Sequence, residues 1–294
     1  MVFQVERAVA GNYPDIPGAL EYTVLAQHAG GKLDGVILFV HGMGHSFDRF
    51  YWKEWAASLK VKLAVKGLEL AEEQFGGVYY YDLVPGPKEE MILDERIQIQ
   101  LLGLRERAIG EFSTLRAPFA KGIEAVKKLS DKIIDNFGDI FTYLYLENTH
   151  SAVNERLYEA ISGSSGPVHL IGYSLGSIVC YCALKQNQEA AQKVSQLIMI
   201  GSPLYWFKAG VAERVELEAR PAVGRFSNIA GILDIAWPQA VPRVIGGLDE
   251  NIEFMLNLFD PIKGHQEYFK KEEGLGVITR ELLKGWGRET SNSL

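Results

Sequence analysis

Ser174 stands at the centre of Gly172-Tyr173-Ser174-Leu175-Gly176. The apolar run Val168-His169-Leu170-Ile171 precedes it, and Ile178, Val179, Tyr181, Cys182 and Leu184 follow at helix-compatible positions. A serine at the tip of a sharp strand-to-helix turn presents its hydroxyl outward, and the residues two positions either side must be small for strand and helix to pass. Gly172 and Gly176 meet that need. Average residue usage puts a bare Gly-x-Ser-x-Gly pattern at about 0.1 chance occurrences in a chain of this length. The flanking strand and helix patterns therefore carry much of the signal.

A serine hydroxyl needs a general base to take its proton and a carboxylate to orient that base. His265 ends the turn-forming stretch Asp260-Pro261-Ile262-Lys263-Gly264-His265, after the apolar run Phe254-Met255-Leu256-Asn257-Leu258-Phe259, and reads as a loop residue beyond a strand. Asp234 follows Phe226-Ser227-Asn228-Ile229-Ala230-Gly231-Ile232-Leu233, apolar enough to be a strand feeding a loop, and is the preferred carboxylate. Asp260 is the alternative, five residues before His265, and would have to come from the end of the preceding strand. Asp249 and Glu250 read as solvated turn residues. An oxyanion formed at an attacked carbonyl needs donors aimed at it. Leu175 N–H, at the start of a helix, is one candidate. Met43 N–H is the other, because Gly42 and Gly44 on either side let the backbone approach a ligand; His41 and His45 are expected to support that loop. Tyr205, Trp206 and Phe207 after Gly201-Ser202-Pro203 could line an acyl pocket or be ordinary core, and Trp237 with Pro238 could close the same rim.

The elements that must position these residues follow an alternating order. Val36-Ile37-Leu38-Phe39-Val40 is a continuous apolar run of the kind buried on both faces. A helical segment with Trp52, Trp55, Leu59 and Leu63 follows, and Val78-Tyr79-Tyr80-Tyr81 reads as the next strand. Alternation resumes with a helix near 150–162, a strand at 168–172, the helix after Ser174 and a strand at 196–200, which predicts a mostly parallel sheet covered by helices. From Asp82 to about Asn148 the alternation stops. The expected division is a core domain of residues 1–82 and 149–294 with a helical cap at 83–148. In the cap Val126, Leu129, Ile133, Phe137, Ile140 and Leu144 form one apolar stripe. The stripe reads either as a face packed on the main domain or as a lid that covers a substrate or meets lipid.

The set Val40-His41-Gly42-Met43-Gly44, Ile171-Gly172-Tyr173-Ser174-Leu175-Gly176-Ser177, Gly201-Ser202-Pro203 and Gly264-His265 with Tyr268 resembles α/β-hydrolase-fold lipases and esterases, over about residues 33–270. In that fold the chain order is Ser, then acid, then His. His265 alone of the six histidines follows Ser174. The resemblance implies Ser174 as nucleophile, Asp234 as acid, His265 as base, and Met43 with Leu175 as oxyanion donors. Tyr173, Tyr205, Trp206 and Trp237 are the expected substrate contacts. Ser174 argues against epoxide hydrolases and haloalkane dehalogenases, which place Asp at that turn. The long cap departs from minimal lipases and leaves specificity open.

The expected activity is hydrolysis of carboxylic esters, small or lipid, through an acyl-enzyme. The alternatives are acyl transfer or thioester or amide cleavage by the same residues, and a non-catalytic ligand-binding protein on the same fold. Net charge is -7 over 294 residues and no dense Lys/Arg run occurs, which argues against a nucleic-acid partner. Cys180 and Cys182 are expected to be packing residues. There is no Cys-x-x-Cys spacing and no dinucleotide or P-loop fingerprint, so no cofactor or metal is expected. Met1-Val2-Phe3-Gln4-Val5-Glu6-Arg7 is unlike a signal peptide, and the default expectation is a cytoplasmic protein with, at most, transient membrane contact through the cap. The sequence leaves oligomeric state open.

Overall fold

The computed structural model describes residues 35–42, 48–84, 99, 103, 106, 110, 138–232, 234–256 and 260–287. The strands are β1 (Val36–Val40), β2 (Phe75–Val78), β3 (Val168–Tyr173), β4 (Val194–Ile200), β5 (Arg225–Gly231) and β6 (Glu250–Phe254); β1, β3 and β4 carry the apolar runs, whereas β6 is the mixed segment Glu-Asn-Ile-Glu-Phe and ends at Phe254, where the expected apolar run begins. They make a six-stranded sheet in the order β2-β1-β3-β4-β5-β6, parallel at every pairing. The alternation of side chains along a strand divides the core in two. Val36, Leu38 and Val40 of β1 enter one layer with Leu170, Leu197, Met199 and Phe226. Ile37 and Phe39 enter the other with Ile171, Ile198, Ile200 and Ile229.

Helices cover both layers because continuous apolar strands leave neither face for water. The first layer is closed by α2 (Gly138–Tyr145), α3 (Glu147–Ser162), α4 (Leu175–Gln186), the short α5 (Gln188–Lys193) and α6 (Lys208–Arg214). On the second layer lie α1 (Trp52–Val65) and α8 (Glu272–Gly285), while the five-residue α7 (Pro261–His265) sits between β6 and α8. From β1 the chain first moves outward to β2 and then returns to β3 on the other side, so strand order reverses between β1 and β3. In open parallel sheets such a reversal leaves a crevice beyond the strand ends, where ligands bind. Gly172 of β3 pairs with Val40 of β1 at that point.

Several local expectations shift. The β1–β2 ladder ends at Val40↔Val78, and Tyr81–Leu83 forms a 3-10 turn instead of extending the strand. His265 closes α7, which Asp260 caps by accepting from Lys263 N–H at 3.0 Å, so the predicted loop is a short helix. Glu250 opens β6 and is not a turn residue, whereas Asp249 does lie exposed in the bend before it, where it pairs with Arg220 at 2.9 Å. Cys180 and Cys182 are buried in the first core layer. Ile140 and Leu144, at one end of the predicted stripe, are buried there too, whereas Val126, Leu129, Ile133 and Phe137 lie outside the described residues. Among the described residues no helix is long and apolar enough to cross a membrane.

Candidate active site

Ser174 lies between β3 and α4 with φ 53 and ψ -123, a conformation that non-glycine residues rarely adopt. The turn persists because its surroundings over-determine it. Ser174 N–H donates to the Ile200 carbonyl of β4 at 2.9 Å, and the Ser177 hydroxyl donates back to the Ser174 carbonyl at 2.5 Å. Ser177 is itself 2.7 Å from the Ser202 hydroxyl, which ties α4 to the loop after β4. A Cβ at Gly176 would stand 2.2 Å from the Val40 carbonyl oxygen, and one at Gly172 would stand 2.8 Å from the Gly176 carbonyl oxygen. Only hydrogen fits at either position, so helix and strand meet as closely as the turn requires. Leu175 is the first residue of α4, so its N–H is one of the helix-start donors without an intrahelical acceptor.

The ends of β3 and β5 and the short α7 converge on this serine. Ser174 Oγ is 2.9 Å from His265 Nε2. His265 Nδ1 is 2.9 Å from Asp234 Oδ1 and 3.0 Å from Oδ2. All three side chains are buried. With Asp234 ionised, Nδ1 carries the proton and Nε2 is left as an acceptor for the serine hydroxyl. The line can thus pass the serine proton to the imidazole while the carboxylate stabilises the imidazolium. Asp260, the alternative acid, instead caps α7 and is exposed.

Gly201, part of the Gly201-Ser202-Pro203 motif but without a role in the sequence reading, is a site residue. It sits at φ 56, and a Cβ there would come 3.1 Å from His265 Cε1 and 3.2 Å from Asp234 Oδ2. Its signal in the sequence is the Gly201-Ser202-Pro203 break after β4. Tyr268 is another, with its hydroxyl 2.5 Å from Asp234 Oδ2. Tyr80 and Tyr81 hold the exit from β1: Tyr80 donates to the His41 carbonyl at 2.7 Å, and Tyr81 donates to that of Gly42. The His41 ring, stacked on both tyrosines at 4.1 Å, donates from Nδ1 to the Gly42 carbonyl at 2.8 Å and accepts Tyr80 N–H at Nε2. Burial pushes its pKa down to about 3, so it is neutral and fixed as one tautomer. Met43 and His45, beyond that anchor, lie outside the described residues.

The aromatic candidates fall in different places. Tyr173 turns its hydroxyl to the His265 carbonyl at 2.5 Å and stacks on the His265 ring at 5.2 Å. Trp206 is fully buried and donates its indole N–H to the Ile235 carbonyl at 3.1 Å, so it supports the loop of Asp234 from within the core. Tyr205 and Phe207 are buried beside it in the same layer. Trp237 packs edge-on to Trp206 at 5.6 Å and is only partly buried, in left-handed backbone at φ 55. Among the described residues no group of three or more His, Cys, Asp or Glu side chains could hold a metal ion.

A family model described as alpha/beta hydrolase matches residues 150–225, the stretch from α3 through the start of β5 that contains the Ser174 turn. No curated protein matches the chain. The parallel sheet with helices on both its faces, together with this match, fits an α/β-hydrolase fold, and the match supports a hydrolase.

Proposed function

We propose that the protein is a serine hydrolase that cleaves carboxylic esters. The observation that carries this reading is the buried line from Ser174 Oγ through His265 to Asp234, with the serine raised on a strained turn at the reversal of the sheet. Ser174 Oγ attacks the ester carbonyl carbon as His265 Nε2 takes the hydroxyl proton, and the carbonyl electron pair moves to oxygen. Leu175 N–H is the first donor to that oxyanion and Met43 N–H the second. Collapse expels the alcohol, which receives the proton from His265. Water then attacks the acyl-enzyme with His265 again as base, releasing the acid and restoring Ser174. Asp234 keeps its charge throughout and stabilises the imidazolium formed in both halves.

The test is labelling by a fluorophosphonate probe followed by peptide mass spectrometry, alongside ester hydrolysis, on the native protein and on Ser174→Ala. We expect labelling confined to Ser174 and a loss of roughly 10⁴ or more in kcat for the variant, because the residues of such a line act as a unit. Unlabelled native protein, or full hydrolysis by Ser174→Ala, would remove Ser174 as nucleophile.

A further inference from the structure

The Asp234 carboxylate accepts more than the imidazole. Oδ1 accepts the Ala236 N–H at 2.7 Å, a contact within its own loop. Oδ2 accepts the Tyr268 hydroxyl at 2.5 Å, and that hydroxyl in turn accepts the N–H of Gly231, the last residue of β5, at 2.7 Å. Tyr268 comes from the segment after α7, three residues beyond His265, and thus joins the strand end, the acid loop and the histidine segment through one oxygen atom. Its ring has no exposed surface and packs edge-on to His265 at 6.4 Å and to Phe254 at 5.8 Å, which leaves the hydroxyl one position. Burial, together with the adjacent Asp234 charge, holds the phenol well above its ordinary range, so it remains a donor.

We propose that Tyr268 is a positioning residue that sets both the orientation of the Asp234 carboxylate and the charge it offers to His265. The inference rests on the serine-hydrolase reading. Both carboxylate oxygens lie within reach of His265 Nδ1, so the imidazole alone does not select the carboxylate plane; Ala236 N–H on one oxygen and Tyr268 O–H on the other do. A donated hydrogen bond also draws negative charge from the carboxylate and lessens its hold on the imidazolium. Among the described residues, the titratable side chains acting on Asp234 are His265, Tyr268 and Tyr173 from the serine turn. Burial, then the Asp234 charge, also raises Tyr173 well above its ordinary range, so both phenols stay neutral and neither supplies an acid limb of its own.

The experiment compares native protein, Tyr268→Phe and protein carrying 3-fluorotyrosine at position 268. It measures fluorophosphonate labelling rate against pH, kcat and KM on one ester, and thermal unfolding. Tyr268→Phe should label Ser174 roughly tenfold or more slowly, the size of one lost hydrogen bond to a charged group. Its kcat should fall with KM within about twofold, and its acid limb should move to higher pH. Fluorotyrosine keeps the Gly231 contact but donates more strongly, and should move the acid limb to lower pH. Opposite displacements are a result that packing alone does not produce. If Tyr268→Phe fails to fold, the fluorotyrosine protein carries the comparison. Native protein labelled at Ser174 together with a fluorotyrosine acid limb identical to native overturns the role of Tyr268. Native protein that does not label overturns the serine-hydrolase reading itself.

Discussion

At the scale of single residues, the proposed chemistry depends on which nitrogen of His265 carries the proton. Asp234 decides it, because both of its oxygens face Nδ1 and an anionic carboxylate can only accept. Asp234→Asn substitutes an amide that can turn its NH2 toward Nδ1, so the imidazole proton moves to Nε2 and the serine loses its acceptor. The expected result is a fall of about 10⁴ in kcat with little change in unfolding temperature. Steady-state ester kinetics beside a thermal melt measure both, and near-native turnover by the variant would remove Asp234 as the orienting acid. The serine, acid and histidine singled out from the sequence meet in one hydrogen-bonded line. Tyr268 and Gly201 were not singled out for roles, because their importance lies in distances across the fold that no local pattern encodes.

At the scale of elements, the serine turn is a fit between α4, β3 and the end of β1. Gly176 lies where α4 crosses β1, and a Cβ there meets the Val40 carbonyl oxygen at 2.2 Å and that of His41 at 2.4 Å. Backbone oxygens cannot swing aside as a flexible side chain can, so α4 must retreat from the sheet. Gly176→Ala should lower stability by about 1–3 kcal/mol or more. It should also slow labelling of Ser174, since a displaced helix moves Leu175 N–H with it. Chemical denaturation and labelling rate read the two effects, and a variant native in both would show that the close approach is dispensable. The order of the central strands β1, β3 and β4 and of the helices between them was legible because buried parallel strands write themselves as apolar runs, whereas the edge strands β2 and β6 carry no such run. The ends were less so. Tyr79-Tyr80-Tyr81 has strand-like composition, yet the chain leaves the ladder and Tyr80 and Tyr81 turn to the His41 and Gly42 carbonyls, a tertiary demand that overrides propensity.

At the scale of the whole molecule, buried neutral histidines couple stability to pH. Burial takes His41 down to about 3 and His169 to about 4, against an ordinary value of 6.5. His169 lies in β3 with its ring stacked on Trp286 at 3.4 Å and Nδ1 3.2 Å from Gln196 Oε1. Both histidines bind a proton more readily unfolded than folded, so the unfolded state gains protons first as pH falls. Their contribution is present above about pH 6.5 and is lost as pH falls through the window toward 4 and 3, with a slope of up to about 1.4 kcal/mol per pH unit for each. Urea midpoints measured from pH 7.5 to 5 should therefore decrease, and His169→Gln should flatten the decrease. A constant gap between native and variant midpoints across that range would rule out the coupling at His169.

The sequence by itself determined the local grammar of this protein: apolar runs that must be buried strands, helical segments between them, and small residues around Ser174 that permit a sharp turn. These follow from periodicity and side-chain size, which act over a few neighbouring residues. Tertiary structure alone decided that His265 arrives on a short capped helix, that Asp234 and not Asp260 faces its ring, and that the strand order reverses beside the serine. It also placed Trp206 in the core beneath the acid loop and Tyr268 on the acid itself. Such relations depend on contacts between residues far apart in the chain, set only when the whole sheet and its two apolar layers assemble.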